Sequence, residues 1–358
     1  MKKLLLSVII FVFCGSLLLS LPEKEALFYR KLKNKFVKCF LCPKECVIPP
    51  GKYGFCRARK NINGTLYSMG YSRPCSVAVD PIEKKPFFHF LPGTMAFSIA
   101  SAGCSLRCKF CQNWQISQFS PEQTKNYYLT PAQVVEYAIK YKCPSIAYTY
   151  SEPVNFYEYM LDTAKIAKEK GIKNVVHTAG FINPEPLEKL CKYLDAVNVD
   201  LKGFNEEYYR NVCGANLQTV LNSLKILKKH NIWIEITNLI LPGYNDKEDE
   251  IRRMCEWIKN NLGENTPVHF SRFQPMYLMR HLPPTPVSTL EKAVKIAKEV
   301  GLKYVYIGNV PGSSYENTYC PRCGKILIRR IAFTVLENNI KNGRCKFCGE
   351  KIPGVWEK

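Results

Sequence analysis

The sequence predicts an α/β protein whose parallel sheet forms an open or complete β/α barrel. Between residues 96 and 307, short runs rich in β-branched and aromatic residues alternate with amphipathic stretches. Units of this length pair their strands in parallel through right-handed crossovers. The predicted strands are Ala96–Ser101, Ser145–Tyr150, Asn174–Thr178, Ala196–Leu201, Trp233–Leu241, Val268–Phe273 and Tyr304–Ile307.

The amphipathic stretches between these strands begin with residues that cap a helix or open its first turn. These starts are Thr130–Pro131, Asn155, Asn183–Pro184, Asn205, Asn245–Asp246 and Ser288. We divide the chain into a hydrophobic segment at residues 1–22, a Cys-rich module at 23–94, the barrel at 95–312 and a zinc ribbon at 313–358.

Composition limits the class of protein. A chain of 358 residues with 46% hydrophobic content can bury a sizeable core. The net charge of +21 suits an anionic partner, such as nucleic acid or an acidic protein, but it also suits a lysine-rich solvated surface, which we favour. The 17 cysteines fall mostly in metal-type groups, which indicates a reducing compartment.

An uncharged apolar run at residues 4–21 is about long enough to span a bilayer as a helix. The flank after the run is richer in Lys and Arg than the start of the chain, which favours a cytoplasmic downstream domain. We therefore predict a cytoplasmic catalytic body tethered to the inner membrane by residues 4–21. A cleaved signal and a misassigned start codon are the alternatives.

The Cys-rich module contains four cysteines among turn-forming prolines and glycines, namely Cys39, Cys42, Cys46 and Cys56. Because the segment is too small to bury its own core, we expect a metal to hold it together. Zinc on four thiolates is the commoner interpretation, and an auxiliary iron–sulfur cluster is the alternative.

The carboxy terminus carries two C-x2-C-G knuckles about twenty residues apart, formed by Cys320, Cys323, Cys345 and Cys348. This spacing predicts a zinc ribbon, since the glycine after each knuckle lets backbone amides turn toward the sulfurs.

The loop after the first predicted barrel strand places Cys104, Cys108 and Cys111 at C-x3-C-x2-C spacing. Three such thiolates ligate three of the four irons of a cubane, whereas electron-transfer clusters take four cysteines. The fourth iron is then open to a cofactor or substrate. A zinc site lacking one ligand is the less favoured interpretation.

Polar residues follow the other predicted strands at their carboxyl ends, where active sites of β/α barrels lie. Glu152 follows the second strand, His177 lies near the end of the third, and Asp200 and Lys202 lie at the end of the fourth. Arg272 ends the sixth strand and is a further candidate for binding a carboxylate. His177 either orients a substrate or is a hydrogen-bonded structural residue.

The cysteine loop, with Phe110 before its third cysteine, resembles the radical S-adenosylmethionine (SAM) superfamily. The resemblance implies a partial (β/α)6 barrel and a 4Fe–4S cluster whose open iron is chelated by SAM. It implies that Glu152 receives the ammonium of SAM and that Phe110 packs near adenine, although Tyr150 and Ser151 replace the usual glycines before Glu152.

The phrase V-D-L-K-G, with Asp200 and Lys202, is similar to the D-L-K motif at the SAM site of pyruvate formate-lyase activating enzymes. Longer phrases, among them L-C-P-K-E-C-V-I, C-K-F-C-Q-N-W-Q-I-S-Q and N-T-Y-C-P-R-C-G, resemble the AmmeMemoRadiSam system radical SAM enzymes. That resemblance implies an electron donor of flavodoxin or ferredoxin type and points to Memo-like or AMMECR-like protein partners, with an undefined substrate. An RNA-modifying radical SAM enzyme and a non-catalytic, membrane-tethered zinc adaptor are the alternatives.

Overall fold

The computed structural model of the protein describes residues 24–357. The predicted anchor at residues 4–21 lies outside the described residues. Of the helices within residues 24–357, none has both the length and the apolar character needed to cross a membrane.

The Cys-rich module forms a three-stranded antiparallel sheet and a two-stranded hairpin. The sheet contains β1 (Tyr29–Lys31), β2 (Val37–Cys39) and β3 (Val47–Ile48), and the hairpin contains β4 (Arg59–Ile62) and β5 (Thr65–Ser68).

This module shares the core of the rest of the protein. Val37, Leu41, Ile48 and Leu66 are buried in the same hydrophobic cluster as the central strands. The module therefore does not depend on its own residues alone for a core, and the metal that we expect at its cysteines stays a prediction. The module gains its core by packing against the central sheet, which adds buried apolar area beyond its own residues.

The central sheet has eight strands in the order β13-β12-β11-β10-β9-β8-β7-β6. Strands β7 to β13 run parallel in chain order, while β6 pairs antiparallel with β7 at one edge. The strands are β6 (Ser76–Pro81), β7 (Met95–Ala100), β8 (Ser145–Tyr148), β9 (Lys173–Thr178), β10 (Ala196–Asp200), β11 (Trp233–Ile240), β12 (Val268–Arg272) and β13 (Val305–Gly308).

All seven predicted strands are confirmed, with ends that shift by no more than two residues. Strand β6 was not predicted, and it lies within the residues we assigned to the Cys-rich module. The parallel order is compatible with the predicted partial (β/α)6 barrel, whose closure stays a prediction.

The helices follow the strands as the alternation predicts. They are α1 (Trp114–Ser117), α2 (Pro131–Lys140), α3 (Tyr157–Glu169), α4 (Pro184–Cys191), α5 (Glu206–Tyr208), α6 (Leu217–Lys229), α7 (Glu248–Leu262) and α8 (Val287–Val300). Thr130 caps α2 as predicted, because its side chain accepts a hydrogen bond from the amide of Gln133.

Three predicted helix starts differ from the structure. Asn155 lies inside a 3-10 helix at Pro153–Phe156, and α3 begins only at Tyr157. Asn205 caps only the short α5, and the long helix after β10 begins at a second cap, Asn216, whose side chain accepts from the amide of Thr219. Asn245 does not cap α7, because its Oδ1 accepts from the amide of Leu241, 2.7 Å away, and so closes the loop before the helix.

The carboxy-terminal segment contains β14 (Thr318–Tyr319), β15 (Ile326–Ile331) and β16 (Thr334–Asn338) in one sheet, followed by the hairpin of β17 (Ile340–Lys341) and β18 (Arg344–Cys345). Leu327 and Ile328 pack with Phe88 and Tyr306 in a separate hydrophobic cluster. The buried Arg330 donates to the carbonyl oxygen of Phe88 at 2.8 Å. These contacts fix the segment against the central sheet.

Candidate active site

The carboxyl ends of the parallel strands surround a cavity of about 520 Å³, a volume typical of pockets for small ligands. The structure brings the candidate residues of four strand ends to this one cavity. Those that line it are Cys104, Cys108, Phe110, Cys111, Glu152, His177, Asp200 and Lys202.

The cysteine loop is held from two sides by backbone contacts. On one side, the amide of Cys104 donates to the carbonyl oxygen of Cys56 in the Cys-rich module, at 3.1 Å. On the other side, the amide of Arg107 donates to the carbonyl oxygen of Cys213, at 2.8 Å. The Arg107 side chain donates to the Cys104 carbonyl oxygen at 2.7 Å. The loop therefore has little freedom to change the positions of its thiols.

The three thiols experience different environments. Burial raises the pKa of Cys104 and of Cys111. A hydrogen bond with Cys213 lowers the pKa of Cys108, and the charge of Lys202 acts in the same direction, against the effect of burial. Since thiolates are the ligating form, a bound metal centre is needed to keep all three deprotonated in this buried loop.

Glu152 is a buried carboxylate with defined acceptor positions. Its Oε2 accepts from the amide of Ala179 at 2.8 Å, and its Oε1 accepts from the amide of Val154 at 3.3 Å and from the hydroxyl of Thr178. Burial raises the pKa of Glu152 despite these hydrogen bonds. A carboxylate offers about four lone-pair sites, so roughly one of them is left for a ligand in the cavity.

Asp200 lies between two basic side chains. Its Oδ1 is 2.9 Å from Nε2 of His177, and its Oδ2 is 2.9 Å from Nζ of Lys202. Burial by itself would raise the pKa of Asp200. The charges and hydrogen bonds of Lys202 and His177 outweigh that effect and hold the pKa well below its usual range. The Lys202 ammonium also lies 5.7 Å from the ring centroid of Phe110. Asp200 and Lys202 thus form an ion pair on the wall of the cavity, beside the third cysteine.

Tyr150 has the backbone conformation that glycine usually supplies. Its φ is +63°, in the left-handed region. Its hydroxyl donates to the carboxylate of Asp80, and Nζ of Lys85 lies 4.0 Å from its ring centroid. Asn113 donates to its carbonyl oxygen at 2.8 Å. The side-chain contacts with the β6 region therefore compensate for the cost of this conformation, and the strand end before Glu152 is fixed without glycine.

Several residues that line the cavity were not predicted from the sequence. His269 lies on β12 and contacts the buried Glu235, with 2.7 Å between Nε2 and Oε2. The period-two alternation of β12 places His269 and Ser271 on one face, and this signal was available. Ala332 and Phe333, between β15 and β16, also line the cavity, and no local pattern indicates this.

Arg272 does not join the site in the way we considered. Its Nε donates to the carbonyl oxygen of Thr285 at 2.8 Å, and the residue is not among those that line the cavity.

The four carboxy-terminal cysteines form a compact group in which the sulfur atoms all lie within 4.8 Å of one another. The sulfurs of Cys320 and Cys348 are 3.6 Å apart, and those of Cys323 and Cys345 are 3.8 Å apart. Tetrahedral bonds of about 2.3 Å from sulfur to a single zinc ion place the sulfurs roughly 3.8 Å apart. The cluster is thus compatible with a zinc ribbon.

Comparison with known proteins agrees with this geometry. Residues 98–258 match the Radical SAM superfamily. The chain therefore contains a radical SAM domain with an α/β fold and a mostly parallel central sheet.

The chain belongs to the same family as the protein MJ0808 of Methanocaldococcus jannaschii, to which it is 51% identical over 334 residues, 93% of this chain and 99% of the relative. It is also similar to MJ0674 of the same organism, with 26% identity over 76% of this chain and 78% of the relative. The pyruvate formate-lyase-activating enzyme of Clostridium pasteurianum is 25% identical over 44% of this chain and 67% of its own length.

Proposed function

We propose that the protein is an activase-like radical SAM enzyme in which Cys104, Cys108 and Cys111 hold a site-differentiated 4Fe–4S cluster. When bound, such a cluster supplies the electron that cleaves SAM to a 5'-deoxyadenosyl radical, which abstracts hydrogen from a substrate. The observation that carries the proposal is that these three cysteines share one cavity with Glu152 and with the Asp200–Lys202 pair.

The donor set supports a cluster rather than one metal ion. In the described part of the chain, the ribbon cysteines are the only Cys, His, Asp or Glu group of three or more whose ligand atoms are mutually within 4.8 Å. At least one pair of the Cys104, Cys108 and Cys111 sulfurs is therefore more than 4.8 Å apart. Thiolates that each ligate a different iron need this wider separation.

Glu152 is assigned to the ammonium of SAM. Glu152 lines the cavity and is buried, so a charge-assisted hydrogen bond from a ligand to its carboxylate is strong. Phe110 is assigned to the adenine side, and Asp200 with Lys202 to the polar part of SAM. Because Asp200 is already paired with Lys202 and His177, these residues orient polar groups without adding an uncompensated charge.

The finer identity is also part of the proposal. We assign the chain to the AmmeMemoRadiSam system radical SAM enzymes, with zinc in the carboxy-terminal ribbon. We also propose an electron donor of flavodoxin or ferredoxin type and a Memo-like or AMMECR-like protein as partner. The shared motifs support the family and the partner, the similarity to pyruvate formate-lyase-activating enzymes supports an external electron donor, and the sulfur spacing of the ribbon supports zinc.

The test uses the full chain, reconstituted anaerobically with iron and sulfide. After reduction, 5'-deoxyadenosine formed from SAM is quantified, and SAM affinity is measured by calorimetry. We expect Glu152→Gln to weaken SAM binding by about 10- to 150-fold, since a hydrogen bond to a charged group contributes about 1.5–3 kcal/mol.

The matched control is Glu207→Gln, at an exposed position on α5, which should bind SAM as the unmodified protein does. Iron content should be the same in both variants. The proposal fails if the anaerobic protein forms no 5'-deoxyadenosine, or if Glu152→Gln binds SAM with unchanged affinity.

A further inference from the structure

We propose that Cys39, Cys42, Cys46 and Cys56 hold a second iron–sulfur cluster, which receives single electrons from an acidic carrier protein. The occupancy of this site is independent of the proposed function. Its role as an electron entry point rests on the proposed function.

The first argument is the spacing of the sulfur atoms. In the ribbon, all four sulfurs lie within 4.8 Å of one another, as a single zinc ion requires. No three of the four cysteines in the amino-terminal module meet that limit within residues 24–357. They share this property with the cysteine loop of the cavity. At least one sulfur–sulfur distance in every three of them thus exceeds 4.8 Å, unlike in the ribbon, which favours the auxiliary cluster over zinc.

The four cysteines nevertheless converge on one place. The amide of Cys39 donates to the carbonyl oxygen of Cys46 at 3.0 Å, across the turn that contains Cys42. The amide of Phe55, next to Cys56, donates to the sulfur of Cys46 at 3.4 Å. The module thus gathers its thiols around one centre without bringing them into contact.

The second argument is the environment of the sulfurs. Arg59 is 1% exposed, and its Nη1 donates to the sulfur of Cys39 at 3.4 Å and to the carbonyl oxygen of Leu27 at 2.9 Å. Its other terminal nitrogen pairs with the buried Glu158. Hydrogen bonds to ligating sulfurs set the potential of a cluster, and the buried ion pair with Glu158 holds the Arg59 donor in place beside Cys39.

The third argument is the contact with the cavity loop. The amide of Cys104 donates to the carbonyl oxygen of Cys56 at 3.1 Å. A single hydrogen bond therefore joins a proposed ligand of the cavity cluster, Cys104, to a proposed ligand of the second cluster, Cys56. The Arg107 side chain donates to the carbonyl oxygens of both Cys104 and Phe55. A structural zinc site has no need of this junction, whereas a redox site gains a short path for an electron.

The fourth argument is the surface around the module. Residues 24–60 contain eleven Lys and Arg but only two Asp and Glu. Phe55 is 38% exposed, and Nζ of Lys44 lies 4.4 Å from its ring centroid. A basic surface with an exposed aromatic ring next to a cluster fits an acidic protein that carries one electron. In this step the reduced carrier loses one electron and the cluster of the module gains it. No covalent bond forms or breaks, and no proton is transferred.

The occupancy test removes the cavity cysteines in the full chain, as Cys104→Ala/Cys108→Ala/Cys111→Ala. After anaerobic reconstitution we expect about four iron and four sulfide per chain, with zinc at the ribbon. Dithionite reduction should give an electron spin resonance signal. Adding Cys42→Ala and Cys46→Ala should abolish both the iron and the signal.

A variant with the cavity cysteines intact provides a second route if the triple variant does not fold. Cys42→Ala/Cys46→Ala should then lose about half of the iron of the unmodified protein. Two zinc ions and no iron in the triple variant would overturn the proposal. An iron content of Cys42→Ala/Cys46→Ala equal to that of the unmodified protein would also overturn it. Iron in the triple variant together with no 5'-deoxyadenosine from the unmodified protein would refute only the proposed function.

The entry role is tested with a reduced flavodoxin as carrier, by following the reduction of the triple variant in a stopped-flow spectrometer. We expect Lys44→Glu/Lys52→Glu to slow this reduction at least tenfold at low salt and to weaken its dependence on salt. Lys229→Glu, at an exposed position on α6, is the control and should not slow it. Equal rates for the two variants would overturn the entry role.

Discussion

Gly103 lies where the cysteine loop touches the Cys-rich module, so its replacement by alanine tests that junction. At φ +101°, an added Cβ would lie 2.6 Å from the carbonyl oxygen of Cys56 and 3.0 Å from the Cβ of Ala58. Carbon atoms do not approach a backbone oxygen this closely, so the two segments must separate by several tenths of an ångström. The hydrogen bond from Cys104 to Cys56 is then stretched.

Three costs add up in Gly103→Ala. The left-handed backbone costs alanine about 1–2 kcal/mol, the overpacking costs about 1–3 kcal/mol, and the weakened hydrogen bond contributes up to about 1 kcal/mol. We expect a loss of about 2–6 kcal/mol in the free energy of unfolding. Gly51→Ala is the matched control, because Gly51 has φ +75° but no atom within 4 Å of the added Cβ. Its loss should be only about 1–2 kcal/mol.

The assay is urea unfolding of the anaerobic, metal-loaded proteins, followed by circular dichroism and by the iron absorbance. Gly103→Ala should also release iron at a lower urea concentration than Gly51→Ala does. Equal losses of stability in the two variants would refute the close junction, since they would leave only the shared backbone strain.

Three further predictions concern the buried charges. Arg330→Met should cost about 3–5 kcal/mol, because it leaves the buried Glu83 carboxylate, 3.7 Å from the Arg330 Nε, without a charged partner. Asp200→Asn should cost about 2 kcal/mol at pH 7, because it leaves the Lys202 ammonium in the cavity wall without its counter-ion. Burial lowers the pKa of His89 to about 4 in the folded protein, whereas its pKa is near 6.5 in the unfolded chain. The unfolded chain therefore binds the proton first as the pH falls. Up to about 3 kcal/mol of stability should be lost between about pH 6.5 and pH 4.

Each of these predictions has a matched comparison in urea unfolding. Arg329→Met, at a half-exposed position, should cost less than about 1 kcal/mol, and a loss as large as that of Arg330→Met would contradict the buried pair. Adding Lys202→Met to Asp200→Asn should recover part of the stability, and a further loss would argue against the charge explanation. His89→Gln should flatten the pH dependence, so an unchanged slope would assign that slope to other groups.

Much of the fold follows from local patterns. Each of the seven parallel strands is a short apolar run bounded by turn residues, and the cap at Thr130 marks a helix start because its side chain satisfies a free amide. Strand β6 escaped detection because an edge strand with the sequence of Ser76–Pro81 has a half-exposed, weakly alternating pattern. Its role became clear only from its pairing with β7 and from the contact of Asp80 with Tyr150.

The sequence by itself determined which residues are candidates for the chemistry of this protein. The spacing of Cys104, Cys108 and Cys111 and the polar residues at the strand ends are local properties of the chain, and the parallel sheet brings them together because its strands end at the same edge. Tertiary structure alone decided how the amino-terminal cysteines relate to that site. Cys56 and Cys104 are far apart along the chain, and only the packing of the Cys-rich module on the central sheet places one hydrogen bond between them.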